Sequence, residues 1–231
     1  MLFRSPSPVV SSPEIKARFA SLPKGKQDYA ALISEADAAV GSILAKLREL
    51  KLEENTLVFL VSDNGGASPL AEMNGLRGRK WLLWEGGIRV TWLAQWKGRI
   101  PAGRVLETPV IQLDILPTAA AACGVSTQTA QPLDGVDLMP YLTNQSAGSP
   151  HQVLYWKLAG FCAVRKGRWK LYLEPKHGVA KLFDLESDPA EKTDLATVEP
   201  AIFSEMKALY DEWDRSLPPR AWTNISPVFK K

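Results

Sequence analysis

The stretch "NTLVFLVSDNGG", residues 55–66, decides how the chain is read. Its first half is a short, continuous apolar run rich in β-branched residues. Such a run, bounded by a turn signal, suits a strand buried on both faces, as in a parallel sheet. Its second half sets two oxygen-bearing side chains, Asp63 and Asn64, where that strand ought to surface, and follows them with two glycines. In open α/β sheets, ligands bind beyond the carboxyl ends of the strands. A carboxylate and an amide oxygen there are hard ligands, suited to Ca²⁺ or Mg²⁺ more than to zinc. Asp-Gly and Asn-Gly pairs are also common turn dipeptides, so an ordinary turn is the competing reading.

Upstream, Ile33, Ala36, Val40, Ile43, Leu44 and Leu47 recur at steps of three and four residues, which predicts an amphipathic helix over 28–50. Helix followed by strand is half of an α/β unit. Downstream, "GGIRVTWLAQW" reads as a second strand entered through glycines. "TPVIQLDILPTAAAACGV" starts extended and becomes a helix ending near Gly124. From about His151 the texture changes to short alternating runs, "QVLYWK", "FCAVRKG" and "RWKLYLE", which predict a small antiparallel sheet. "FDLESDPAEKTDLA" is turn-rich, and "PAIFSEMKALYDEWDRSL" is a closing amphipathic helix. The polar stretch "TNQSAGSP", 143–150, marks a boundary. The expected organisation is an α/β part over 1–145 and a small α+β part over 146–231.

Composition narrows the function classes. With 28 Lys and Arg against 25 Asp and Glu, the net charge of +3 gives no case for nucleic-acid binding. No apolar run reaches the roughly 18 residues of a membrane-spanning helix. The two cysteines, Cys123 and Cys162, lack zinc-site spacing and cannot form a disulfide framework. The N-terminal "MLFRSPSPVVSSPEIKARF" has too short and too proline-broken an apolar stretch for a signal peptide. Among eight tryptophans, Trp81, Trp84, Trp92 and Trp96 sit in apolar stretches and are expected in cores. The segment "NGLRGRKWLLWEGGIRV", 74–90, gathers Arg77, Arg79, Lys80 and Arg89 among four glycines. It is either a cradle for a sulfate or phosphate group or a solvated basic loop.

Taken in order, "NTLVFLVSDNGG", "LRGRK" and "EGGIRV" resemble the sulfatase family, the calcium- and formylglycine-dependent sulfuric ester hydrolases of the alkaline phosphatase superfamily. The resemblance continues in "YAALISEADAAVGSILAKLRELKLEENT" and in "WKGRIPAG", "LDGVDLMPYL", "AVRKGRWKLY" and "KLFDLESDPAEKTDLA", so it runs from about Asp28 to Leu217. It implies a fold: part of an alkaline-phosphatase-like parallel sheet sandwiched by helices, then a smaller α+β domain with a short antiparallel sheet. It implies that Asp63 and Asn64 are two of the calcium ligands. It also implies that Lys80, five residues before Glu85, is the sulfate-binding lysine. Arg89 is expected to hold its loop through Glu85 or a backbone carbonyl. Thr91 stands where the family usually has proline, a departure that touches packing.

The family's nucleophile is a formylglycine made within a C/S-x-P-x-R motif near the N-terminus. Neither Cys123 nor Cys162 lies in one. "SLPPR", 216–220, matches literally, but it follows the last helix, at the wrong end of the chain. The family's first calcium-binding aspartates and its active-site histidines have no counterpart; His151 and His177 both fall in the smaller part. The expectation is therefore the C-terminal half of a sulfatase, with one Ca²⁺ only partly liganded, a formylglycine-bearing N-terminal half as complement, and a sulfated small molecule or sulfated carbohydrate as substrate. A periplasmic, secreted or lysosomal setting follows from the resemblance alone. Half a sheet would leave an open edge and an uncovered apolar face. A phosphodiesterase-like relative is disfavoured by the lack of histidine near Asp63, and a non-catalytic remnant or binding module is the other alternative.

Overall fold

A computed structural model describes residues 11–66, 71–127, 132–158 and 160–218. The chain divides into two compact units, one made of 1–72 with 91–150 and the other of 73–90 with 151–231. Segment 73–90, which carries the basic loop, thus belongs to the same unit as the C-terminal sheet.

The first unit opens with α1 (Pro13–Ala17) and α2 (Lys24–Glu49). Lys46 and Arg48 sit in the last turn of α2, where cations suit the helix dipole. Lys51 then takes a left-handed φ of 57°, while Leu52 N–H donates to Leu47 O at 2.9 Å, so the freed carbonyls are satisfied without a glycine. Strand β1 (Val58–Val61) follows. It pairs with β2 (Trp92–Gln95) in register Val58 to Gln95 through Val61 to Trp92, and the pairing is antiparallel. The continuous apolar run predicts a strand here, and the partner that this chain supplies, β2, runs antiparallel to it. β1 is half-buried, with Leu60 at 42% and Leu93 opposite it at 55% exposure. Apolar content alone fixes neither strand direction nor which face is covered. The glycines before β2 are not strand either; they lie in the short helix α3 (Glu85–Ile88) of the second unit. Helix α4 (Ile115–Ala122) ends before Gly124, as expected, and α5 (Met139–Leu142) closes the unit. Asp114 is fully buried and ties the start of α4 to the loop beyond it, accepting from Ile111 N–H at 2.8 Å and Val136 N–H at 2.9 Å.

The second unit is built on an antiparallel meander of β3 (Leu154–Leu158), β4 (Phe161–Lys166), β5 (Trp169–Glu174) and β6 (Val179–Asp184). The alternation read from the sequence divides its two faces. Cys162, Val164, Leu171, Leu173 and Leu182 point to one face, where α6 (Pro200–Ser216) lays Met206 and Tyr210 against them. Ala163, Tyr172 and Phe183, one residue out of step, point to the other, where they meet Leu83 and Trp84 of segment 73–90. The mixed α/β class with a small antiparallel sheet is thus the observed one.

Candidate functional site

Asp63 and Asn64 stand together on the turn that leaves β1. The backbone of that turn is fixed from three sides. Ser62 N–H donates to Thr91 O at 3.0 Å, the Ser62 hydroxyl donates to Asn64 O at 2.9 Å, and the Gln112 amide donates to Ser62 O at 3.2 Å. Asp63 is exposed, Asn64 is half-buried and Gly65 is buried. Among the described residues, the side chains of Asp63 and Asn64 make no hydrogen bond or ion pair with one another or with the protein. They would supply two of the six to eight oxygens that Ca²⁺ takes. No group of three or more His, Cys, Asp or Glu that could hold a metal ion exists among the described residues. The donor set fits calcium in kind and falls short in number.

Lys80 belongs to the second unit. It occupies the second position of a tight turn, Arg79 to Leu82, closed by Leu82 N–H donating to Arg79 O at 3.0 Å. The third position, Trp81, has a left-handed φ of 75°, which a type II turn requires and which glycine usually supplies. The turn is seated directly on α3. A Cβ at Gly87 would lie 2.0 Å from Leu82 O and 2.7 Å from Arg79 O, so only glycine lets the two backbones approach this closely. Gly86 is equally constrained, with its N–H donating to Arg77 O at 2.7 Å and its absent Cβ site 2.5 Å from Gly78 O. Lys80 is half-buried, with its ammonium 5.6 Å from the Trp81 ring. Trp81 itself is 40% exposed, against the core position expected for it, whereas Trp84 and Trp96 are buried.

Beneath this loop lies a charged cluster that sequence reasoning did not assemble. Glu85, Lys170 and Glu191 are each at least 99% buried. Lys170 Nζ is 2.8 Å from Glu85 Oε1 and 2.8 Å from Glu191 Oε1. Glu191 Oε2 accepts the backbone N–H of Glu85 at 2.7 Å. Arg165 stands 3.9 Å from Glu85 Oε2, completing two cations against two carboxylates. Burial pushes the Glu191 carboxyl above its ordinary value while Lys170 pulls it down, and burial lowers Arg165. Arg77 donates to the Glu191 carbonyl at 3.0 Å and lies 3.6 Å over the Trp84 ring, which also stacks on Tyr172 at 3.8 Å. Of the two holds expected for Arg89, through Glu85 or through a backbone carbonyl, the first is corrected here: the carboxylate faces Lys170 and Arg165, while Arg89 is exposed and its backbone N–H donates to Glu85 O at 2.8 Å. The one signal for Lys170 was its charge within "RWKLYLE", on the same strand face as Tyr172.

His177 is exposed and faces Glu174 at 3.2 Å, and His151 is half-buried. Cys123 is exposed and Cys162 is buried at 3.2 Å from the Tyr210 hydroxyl. Ser216 of "SLPPR" ends α6; residues 219 and 220 of that match lie outside the described residues. Among the described residues, no helix is long and apolar enough to cross a membrane.

A model of the family described as Sulfatase matches residues 11–125. Steryl-sulfatase of Homo sapiens is 30% identical over 229 residues, covering 81% of this chain and 39% of that protein. Arylsulfatase A of Bos taurus is 34% identical over 175 residues, covering 72% and 34%. The crystal structure of Ps i-CgsB superposes with a TM-score of 0.86 at 29% identity, covering 95% of this chain and 50% of that one. A second structure of Ps i-CgsB holds k-i-k-neocarrahexaose, again with 94% of this chain covered. The chain belongs to the sulfatase family. It spans at most half the length of these relatives.

Proposed function

We propose that the chain is the C-terminal portion of a sulfatase that hydrolyses sulfate esters. Asp63 and Asn64 supply oxygen ligands to one Ca²⁺, and Lys80 binds the sulfate group. Calcium held there would place two positive charges against sulfate oxygens. The residues of this chain do the rest of what it can do. Lys80, at the tip of its turn, brings a mobile ammonium charge toward an anion, where charge develops on the leaving oxygen. The turn after β1 presents its two oxygens without needing to break any bond among the described residues. The observation that carries the reading is this turn: a backbone held from three sides, ending in two hard ligands that have no partner among the described residues.

The nucleophile is assigned to a complementing N-terminal half, as a formylglycine. The same half is the proposed cover for the exposed apolar residues of the first unit, which include Ile33 on α2, Leu60 and Leu93 on the two strands, and Leu116 on α4. The substrate is a sulfated small molecule or a sulfated carbohydrate, and the complex of Ps i-CgsB with k-i-k-neocarrahexaose supports the second. The test is calcium titration by calorimetry of the natural protein, with Asp63→Ala and Asn64→Ala variants beside it. The proposal expects affinity to fall in both. Unchanged affinity in Asp63→Ala removes the metal assignment and leaves the turn as a turn.

A further inference from the structure

We propose that Glu191 and Lys170 are positioning residues for Lys80, acting through Glu85; this rests on the reading of Lys80 as the sulfate-binding group. Neither can touch a ligand, since both are completely buried. What they hold is the base of the loop. Between Met73 and Trp84 the chain has turns and bends but no helix or strand, so its shape comes from its anchors. Two of those anchors are Glu85, which follows Lys80 by five residues, and Arg77, which precedes it by three. Both are bound to the same residue, Glu191, one through its side chain and the other through its carbonyl.

Three features make this a clamp with one setting. Glu191 has a left-handed φ of 54° and Trp81 one of 75°. Non-glycine residues persist in that region only where their surroundings over-determine them. The Lys80 turn is pressed on Gly87 with no room for a methyl group, so it moves only if α3 moves. Finally, α3 is fixed at its first residue by a hydrogen bond and an ion pair, both out of water.

A buried ion pair is a poor source of stability, because desolvation cancels most of its attraction. A triad of two carboxylates and one ammonium is sensitive to direction instead. Lys170 reaches Glu85 Oε1 and Glu191 Oε1 at the same 2.8 Å only while the Glu85 N–H meets Glu191 Oε2. Shifting α3 by a fraction of an ångström breaks several contacts together. The consequence is a fixed origin for a flexible lysine. Its four-carbon stem can still swing, but it swings from a point defined by the C-terminal sheet.

The test uses the natural protein and inorganic sulfate. Lys80 is acetylated with a water-soluble amine reagent at rising sulfate concentration, and the fraction modified is read by peptide mass spectrometry. Wild type is expected to be protected by sulfate. Glu191→Ala is expected to need at least tenfold more sulfate for the same protection, with faster amide exchange at Gly86 and Gly87. Glu191→Gln, which keeps an acceptor for the Glu85 N–H, is expected to recover most of that loss. Where Glu191→Ala does not fold, the exposed Arg77→Met replaces it and is expected to shift protection in the same direction by a smaller factor. Protection at the wild-type concentration in these variants overturns the positioning role and leaves the sulfate reading standing. No protection of Lys80 in wild type at any concentration overturns the sulfate reading, and the positioning role with it.

Discussion

Glu191 accepts the backbone N–H of Glu85 at 2.7 Å across 106 residues of sequence. That bond, with Lys170 wedged between the two carboxylates, makes the Lys80 loop part of the C-terminal unit. The loop is therefore expected to respond to changes in the sheet beneath it.

Lys170→Met would leave two buried carboxylates without their ammonium. Breaking a buried pair by removing one partner costs about 3–5 kcal/mol. Chemical denaturation of the second unit should show a loss of this size. The triple variant Lys170→Met with Glu85→Gln and Glu191→Gln should recover much of it, because no uncompensated charge remains. A triple variant no more stable than the single one would show that charge balance is not what holds the cluster.

Gly86→Ala and Gly41→Ala should have opposite signs. At Gly86 a methyl would lie 2.5 Å from Gly78 O and 2.6 Å from Arg77 O, backbone atoms that cannot step aside. Overpacking of this kind costs roughly 1–3 kcal/mol. Gly41 is in the middle of α2 with nothing within 4 Å. Alanine there should stabilise the helix by about 0.4–1 kcal/mol. Thermal melts of the two variants decide this directly.

Trp84→Ala would remove a ring that lies against the Arg77 guanidinium, stacks on Tyr172 and is edge-on to Phe183 at 5.6 Å. Truncating a buried aromatic of this kind costs about 3–5 kcal/mol. The loss should show as an earlier melt of the C-terminal unit together with faster amide exchange in 77–88. A variant that melts like wild type would mean that the loop is not docked through this ring.

The pH dependence has a defined sign. The hydrogen bonds from Arg168 hold the Asp184 carboxyl well below the usual carboxylate range, with Ser187 and the Glu186 N–H adding to the effect. In the unfolded chain this group would return toward 3.8 and bind protons first. Its contribution is present above that value and is lost as pH falls below it. Glu191 works in the opposite sense: with its carboxyl raised, its contribution is largest at low pH and declines as pH rises through the raised value. Asp184→Asn should flatten the acid limb of the stability curve. Urea midpoints taken from neutrality to about pH 3 measure that slope.

In the natural protein, Lys80→Ala should lower turnover of an aryl sulfate without moving the melting temperature. The side chain is half-buried and is outside the charged cluster. Removing one charge-stabilising group of this kind typically costs 10²–10³ in kcat. A large drop in melting temperature instead would place Lys80 among the residues that build the loop.

The sequence made some of this legible and hid the rest, for physical reasons. The period-two alternation in "FCAVRKG" and "RWKLYLE" was enough to predict β4 and β5, because one face of each strand packs on α6. The same alternation placed Lys170 beside Tyr172 on the other face, but said nothing of what covers it. That cover is segment 73–90, more than sixty residues upstream, and the carboxylates meeting Lys170 come from the start of α3 and from the loop after β6. No local pattern encodes such a meeting. The β1 run was legible as a strand and not as an antiparallel one, since burial and direction are set by neighbours. Asp63, Asn64 and Lys80 could be picked out as candidates because the turn and the glycines around them have a recognisable order. What braces Lys80 could not.

The most direct measurement is the intact mass of the natural protein purified from its source cells. If the proposed nucleophile lies in an N-terminal half that acts with Asp63, Asn64 and Lys80, the product is well above the 25.4 kDa of these residues. A natural product of 25.4 kDa would contradict the proposed division of the site between two halves.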